Sequence, residues 1–351
     1  RIDLAGQERD MAPYHAFFAM RLLRGDASAH AYLKLGAGAD ARPAGSGLQA
    51  VFPPAPSAHR EWLELHEQQR LIADPGLAEL GVSCHAGEDF GHPLEGIAAV
   101  GMVLEGMSMG PGDTIGHALA LGWDLALFRR LRQGTTYLAE GAQFDSVLWL
   151  HRLFAHDWPH AHLAVRAEVE SYLAGKSYQF YGEACSLHDL HELLGLRYGP
   201  CPRAEKVAGR HWKAFDLYRL ETWNKDCYAQ RAERSPCDPL LNRLEELGCL
   251  AQKVLLDAIR EKGVIVEINP SSNLRISRAP SLAEAPFISL VRELAPHHCI
   301  CINTDNPGVY RTRIEQEYAI VYKGLIQSGV PRAEALQWLE NMRVTGMERV
   351  Y

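Results

Sequence analysis

His85 and Glu88 stand three residues apart in the stretch Ser83-Cys84-His85-Ala86-Gly87-Glu88-Asp89, directly after the apolar run Leu80-Gly81-Val82. A short apolar run ending this way reads as a buried strand that delivers a metal ligand and a proton-transfer group at its tip. Three later stretches repeat the design: Thr114-Ile115-Gly116-His117, then Val266-Glu267-Ile268-Asn269-Pro270-Ser271-Ser272-Asn273, then Cys301-Ile302-Asn303-Thr304-Asp305-Asn306-Pro307. Imidazole and carboxylate are ordinary ligands of Zn²⁺, and both groups move protons near neutral pH. The chemistry these types offer is metal-assisted attack by water, with a proton donor held beside it.

Side chains at the ends of successive short β runs converge only if the strands are parallel neighbours, and parallel neighbours need crossovers, usually helical. Helical patterns occupy the places such crossovers require. One runs from Pro93 to about Met107 with Ile97, Val100 and Leu104 at helical spacing. Another opens at the cap pair Asp238-Pro239 and carries Leu240, Leu244, Leu247, Val254, Leu255 and Ile259 to a stop at Gly263. Two more follow the last β run, from about Arg311 to Gln327 and from Pro331 onward. The expected class is α/β, a (β/α)₈ TIM-type barrel with its functional residues on the C-terminal rim. Residues 1–123 and 236–351 carry the barrel pattern. The first part holds a helix from about His15 to Leu23, a long Gly, Ala and Pro-rich loop within 26–57, and a helix from about His59 to Ala73.

Between them, residues 124–235 suspend the pattern and read as a helical insertion, with segments near Phe144–Phe154, Leu163–Leu173 and His211–Trp223. Its aromatic content, including Trp149, Phe154, Trp158, Trp212, Phe215 and Trp223, fits either a self-association surface or a small core of its own. His160-Ala161-His162 has the spacing of a metal pair but follows Asp157-Trp158-Pro159 in a turn, and His188 and His191 fall on one face of a helix expected to be solvated. His92, close to His85, is a possible recruit to the site.

The chain has 36 basic and 43 acidic residues, a formal net charge of −7, which excludes an electrostatic footprint for a nucleic-acid polymer and favours a small polar substrate. No apolar run has the length of a membrane span. Eight Cys occur without a Cys-x-x-Cys pair, and Cys299 and Cys301 fall on one face of a buried strand; they read as reduced core thiols of a cytoplasmic protein.

Together with Asp3-Leu4-Ala5-Gly6, these motifs resemble the adenosine deaminase family of metal-dependent amidohydrolases. The resemblance implies an amidohydrolase barrel represented here by about strands 4 to 8, with the insertion between strands 6 and 7. It implies one Zn²⁺ held by His85 and Asp305, and Glu88 kept protonated by exclusion from solvent so that it protonates a purine ring nitrogen. His117 orients or deprotonates the water, and Gly6 and Asn306 meet the substrate, an adenine nucleoside or nucleotide converted from an amine to an oxo compound. Departures are Ala118 where Gly is usual, Asn269 where Cys is commoner, and Asn306 in place of a second Asp. The family's other two metal ligands form a His-x-His pair on the first strand. Because Arg1-Ile2-Asp3-Leu4 reads as a strand in mid-fold, a segment is expected upstream, and the 351 residues alone are expected to be inactive. The insertion and the His85–Gly96 stretch are most similar to the large deaminase-like subunit of the RADAR phage-defence system. That implies antiviral defence, a large homo-oligomer and a defence-system ATPase partner. Two alternatives stay open: an AMP or other nucleoside deaminase with an unusual lid, with Arg275, Arg278, Arg311 and Arg313 as candidate phosphate contacts, and a non-catalytic barrel scaffold of a large assembly.

Overall fold

A computed structural model describes residues 2–4, 81–132, 137–198, 206–223, 231, 233–305 and 311–350. The expected helices within 15–73, the loop within 26–57, Gly6 and Asn306 lie outside these residues.

Five short strands form one parallel sheet, in the order β1 (Ile2–Leu4), β2 (Val82–Ala86), β3 (Thr114–His117), β6 (Ile265–Ile268) and β7 (Ile300–Ile302). The order in space follows the order in the chain, as it does when each strand is laid beside the last through a crossover. Registered residues of parallel neighbours share a face. His85, Gly116, Glu267 and Cys301 therefore form one row across β2, β3, β6 and β7. Apart from the partly buried His85, every residue of β2, β3, β6 and β7 is buried, as expected when both faces of a parallel sheet are covered.

The crossover after β2 is α1 (Pro93–Gly106). Pro93 takes the first helical position, where its missing N–H costs nothing, and the His92 ring caps the end by accepting from the Leu94 N–H at 3.3 Å. Eleven of its fourteen residues are buried, so the stripe Ile97, Val100 and Leu104 is only part of its packing surface. It lies against β2 on one side and against two later helices, α3 (Glu140–Leu153) and α8 (Glu245–Lys262), on others. The helix expected to run unbroken from Pro239 is two: α7 (Pro239–Arg243), capped by Asp238, and α8, which ends at Gly263 in the left-handed conformation (φ 65°). Helix α9 (Pro270–Ser277) follows β6, and α10 (Pro286–Leu294) leads back to β7. The chain then forms α11 (Ile314–Gln327) and α12 (Arg332–Thr345).

Between β3 and β6 the chain is mainly helical: α2 (Leu125–Leu131), α3, α4 (Leu163–Tyr181), α5 (Leu187–Leu194) and α6 (Trp212–Trp223). A two-stranded antiparallel ribbon, β4 (Tyr137–Ala139) with β5 (Arg234–Pro236), ties the two ends of this segment together. Strands of three residues are too short to show alternation, and the sequence reading passes over them. Inside the segment, Arg231 is almost wholly buried. Its Nη2 meets Asp145 Oδ2 at 2.9 Å, its Nη1 donates to Tyr181 Oη at 3.2 Å, and Tyr218 Oη donates to Asp145 Oδ1 at 2.7 Å. The guanidinium also lies over the Phe144, Phe180 and Tyr218 rings, so α3, α4 and α6 share one cationic centre.

Trp149, Phe154, Trp158 and Phe215 are buried within this chain, which favours the segment's own core over a partner surface as the reason for its aromatic content; Trp212 is 41% exposed. His191 also departs from expectation. His188 is exposed as anticipated, but His191 turns inward and places Nε2 3.0 Å from Nδ1 of the buried His151. His160-Ala161-His162 forms a single 3₁₀ turn with no buried residue, in keeping with its reading as a decoy. Among the described residues, no helix is long and apolar enough to cross a membrane.

Candidate active site

The C-terminal ends of the parallel strands bring the first two motifs together. His85 belongs to β2, Glu88 to the turn after it, and His117 closes β3. One ligand atom from each of the three lies within 4.8 Å of the others. Glu88 bridges the imidazoles: Oε2 is 2.9 Å from His117 Nε2 and Oε1 is 3.5 Å from His85 Nδ1. The two rings meet edge to face with centroids 4.7 Å apart. Gly116 permits this approach. A Cβ there would stand 2.5 Å from His85 Cδ2, closer than nonbonded carbons come, so any other residue would push the ring away.

Electrostatics follow from the geometry. Burial pushes the Glu88 carboxyl up, but hydrogen bonds from His117 and His85, together with their charge, outweigh it and hold the group down at about 2. Exclusion from solvent alone favours the acid form; the two imidazoles reverse that.

His117 is gripped on its other side by residues that the sequence reading quotes without a role. Asn273 Oδ1 accepts from the Asn269 backbone N–H at 2.9 Å, which turns its amide nitrogen toward His117 Nδ1, 2.6 Å away. An amide nitrogen can only donate, so Nδ1 is the acceptor and the ring proton sits on Nε2, aimed at Glu88. With the proton on Nε2, the Asn269 amide nitrogen 3.4 Å away faces it donor to donor and makes no bond; Asn269 joins the network through its N–H to Asn273 and through Oδ1, which accepts from the Asp305 backbone N–H at 3.1 Å. The ends of β3, β6 and β7 are tied into one network. A clue to Asn273 exists in sequence: Asn269 caps α9 at Pro270, and a residue four positions on returns to the same side.

Asp305 stands at the same rim, and its backbone amide is what the network holds. His92 serves as the α1 cap and is not in the His85 cluster. His117 (φ 66°), Ala118 (φ 49°) and Asp305 (φ 58°) are all in the left-handed region, unusual for residues with a Cβ. Ala118, where the family usually has Gly, is wholly buried, and its N–H donates to the Ala86 carbonyl at 3.1 Å. Backbone of this kind concentrates where a chain positions functional groups.

Comparison with known proteins bears on the other half of this rim. The chain carries an adenosine deaminase family segment. The family model matches residues 246–330, which span most of α8 and all of β6, α9, α10, β7 and α11. Asn269, Asn273 and Asp305 fall inside this adenosine deaminase segment; His85, Glu88 and His117 fall outside it. Adenosine deaminases of Lacticaseibacillus casei and Lacticaseibacillus paracasei are each 41% identical to this chain over 71 residues. An aminodeoxyfutalosine deaminase of Acidothermus cellulolyticus is 31% identical over 74 residues. The homology is weak in extent: the matched stretches are 20% of each relative's length and 20–21% of this chain.

Proposed function

We propose that this chain provides the catalytic rim of a zinc-dependent deaminase that hydrolyses the exocyclic amine of an adenine nucleoside or nucleotide. The observation that carries the reading is the convergence of His85, Glu88 and His117, joined through Asn269 and Asn273 to the segment that matches the adenosine deaminase model. The five sequential parallel strands support their reading as strands 4 to 8 of an amidohydrolase barrel, with residues 1–123 and 236–351 as barrel and 124–235 as insertion. The similarity to a defence-system subunit adds a homo-oligomer to the proposal, whose contact surface lies elsewhere than on the buried Trp149, Phe154, Trp158 and Phe215.

The donor types fit zinc. His85, Glu88 and His117 bring two imidazoles and a carboxylate within reach of one another, and Asp305, outside that cluster, adds a second carboxylate on the same rim. In the proposal His85 and Asp305 would hold the ion, which when bound makes water nucleophilic near neutral pH. The remaining work falls to the chain. His117, fixed in one tautomer by Asn273, donates from Nε2 to Glu88 and so aims that carboxylate at the attacking water. Glu88, ionised beside it, takes a proton from that water and returns it to the purine ring nitrogen as the carbon at the amine becomes tetrahedral; the remaining hydroxyl proton then passes to the amine, so that ammonia leaves and the oxo product remains. In this scheme the anionic Glu88 is the receiving half of a shuttle. Gly6 and Asn306 are proposed to contact the base. Arg275, Arg278, Arg311 and Arg313 are exposed, so phosphate contacts from them would form at the solvent edge.

The test is a substrate panel. The protein expressed from its complete gene and loaded with zinc is incubated with adenosine, AMP and ATP, and ammonia and the deaminated product are measured together. Equimolar release from at least one of them is expected; no ammonia from any adenine compound would overturn the proposal.

A further inference from the structure

A second group of metal-ligating side chains lies in the helical segment, where the deaminase reading assigns nothing. Glu183, Cys185 and His211 each place one ligand atom within 4.8 Å of the other two. Glu183 and Cys185 belong to the short loop between α4, which ends at the left-handed Gly182, and Ser186, the cap of α5; His211 directly precedes α6. The three converge because α6 folds back against α4, not because of any sequence spacing. We propose that Glu183, Cys185 and His211 form a second, structural metal site for a borderline-soft divalent cation such as Zn²⁺, pinning the start of α6 to the α4–α5 loop.

Three features favour a ligand over a chance cluster. The first is the division of labour in Glu183. Its Oε1 accepts from the Ala214 N–H at 2.8 Å and so caps α6, while Oε2 faces His211 Nδ1 at 3.7 Å. One oxygen supports the helix and the other stays available. The second is the setting of the His211 ring. Its Nε2 lies 3.2 Å from Asp189 Oδ2, and Asp189 is itself held by Ser186 Oγ at 2.9 Å and by the Arg210 guanidinium. A carboxylate behind one ring nitrogen puts the proton there and leaves the other nitrogen's lone pair exposed, the arrangement that orients metal-binding histidines. Here that lone pair, on Nδ1, points to the cluster. The third is the thiol. Cys185 is buried with its Sγ within reach of the other two ligand atoms; on coordination the S–H proton passes to solvent and the thiolate becomes the ligand. Thiolate with imidazole selects Zn²⁺ or Co²⁺ over Mg²⁺ or Ca²⁺. Three protein ligands leave a fourth position for water, in keeping with the partial exposure of Glu183 and His211.

Co²⁺ gives a readout confined to this site. A thiolate bound to Co²⁺ produces a charge-transfer absorption in the near ultraviolet, and the His85–Glu88–His117 group contains no thiol. Chelator-stripped full-length protein titrated with Co²⁺ should develop that band to saturation at about one ion per chain. Cys185→Ser should abolish it, with folding verified by circular dichroism, and His211→Gln should weaken cobalt binding at this band at least tenfold. Were Cys185→Ser to unfold, His211→Gln takes its place as the deciding variant. Failure of the parent to show the band, or its persistence at full strength in the variant, would overturn the proposal and leave the deaminase reading untouched.

Discussion

Both ring nitrogens of His117 are committed, and that fixes the direction in which a proton can move. Asn273 donates to Nδ1, so Nε2 carries the proton toward Glu88. Replacing Asn273 with Asp keeps an acceptor for the Asn269 N–H but puts a carboxylate where the amide donor was, and the ring proton shifts to Nδ1 or the ring becomes cationic. We expect Asn273→Asp to lower kcat by about 10²–10⁴, the range typical of a mis-set general acid or base, with little change in melting temperature; a rate within threefold of the parent would remove His117 tautomerism from the account. Gly116→Ala makes a different demand. Its Cβ would overlap His85 Cδ2, and displacing a ligand by about 1 Å is enough to cost about 10² in rate. Metal content measured after dialysis should fall along with activity. The meeting of His85, Glu88 and His117 was legible in the sequence because His85 and His117 end short apolar runs and Glu88 follows the first of them by three residues. For Asn273 the sequence offered only its spacing from Asn269; that it reaches His117 depends on β6 pairing beside β3. The pull of the two imidazoles on the Glu88 carboxyl was illegible, because it depends on which rings lie beside it.

Two helical elements owe their stability to buried polar groups. His92 caps α1 as a neutral ring; burial pushes it down to about 4 against a hydrogen bond to Asn242 that favours the charged form. A histidine whose folded value lies below its unfolded value of about 6.5 contributes fully above that pH, and its contribution is lost as the pH falls from 6.5 toward 4. Across that window the loss attributable to His92 is about 3 kcal/mol at most. Urea denaturation at pH 7 and pH 5 should show His92→Asn, which retains a capping oxygen, losing less stability on acidification than the parent; equal losses would assign the pH dependence elsewhere. The Arg231–Asp145 pair is the second case. Asp145→Ala strands a buried guanidinium and should cost about 3–5 kcal/mol in a chemical melt. The helices themselves were readable from apolar spacing, though the break at Leu244 and the inward turn of His191 were not: helical periodicity shows which residues share a face, and not what packs against it.

At the scale of the whole molecule, the legible part was the alternation of apolar strand and crossover helix, which predicts parallel neighbours in chain order and is what the sheet shows. The illegible part was long-range. The β4–β5 ribbon pairs residues about a hundred positions apart through three-residue strands, and the aromatic residues of the helical segment, equally suited by composition to a core or to an interface, are mostly in a core. What unites the described residues is a rim on which two motifs outside the family-matched segment meet three residues inside it. The claim that this rim catalyses deamination turns on Glu88, whose two carboxylate oxygens meet the two imidazoles. The most direct test is the initial rate of ammonia release from the panel's best substrate, compared between the zinc-loaded parent and Glu88→Gln, which is nearly isosteric and cannot shuttle a proton. A fall of about 10² or more is predicted; a rate within tenfold of the parent would contradict the account.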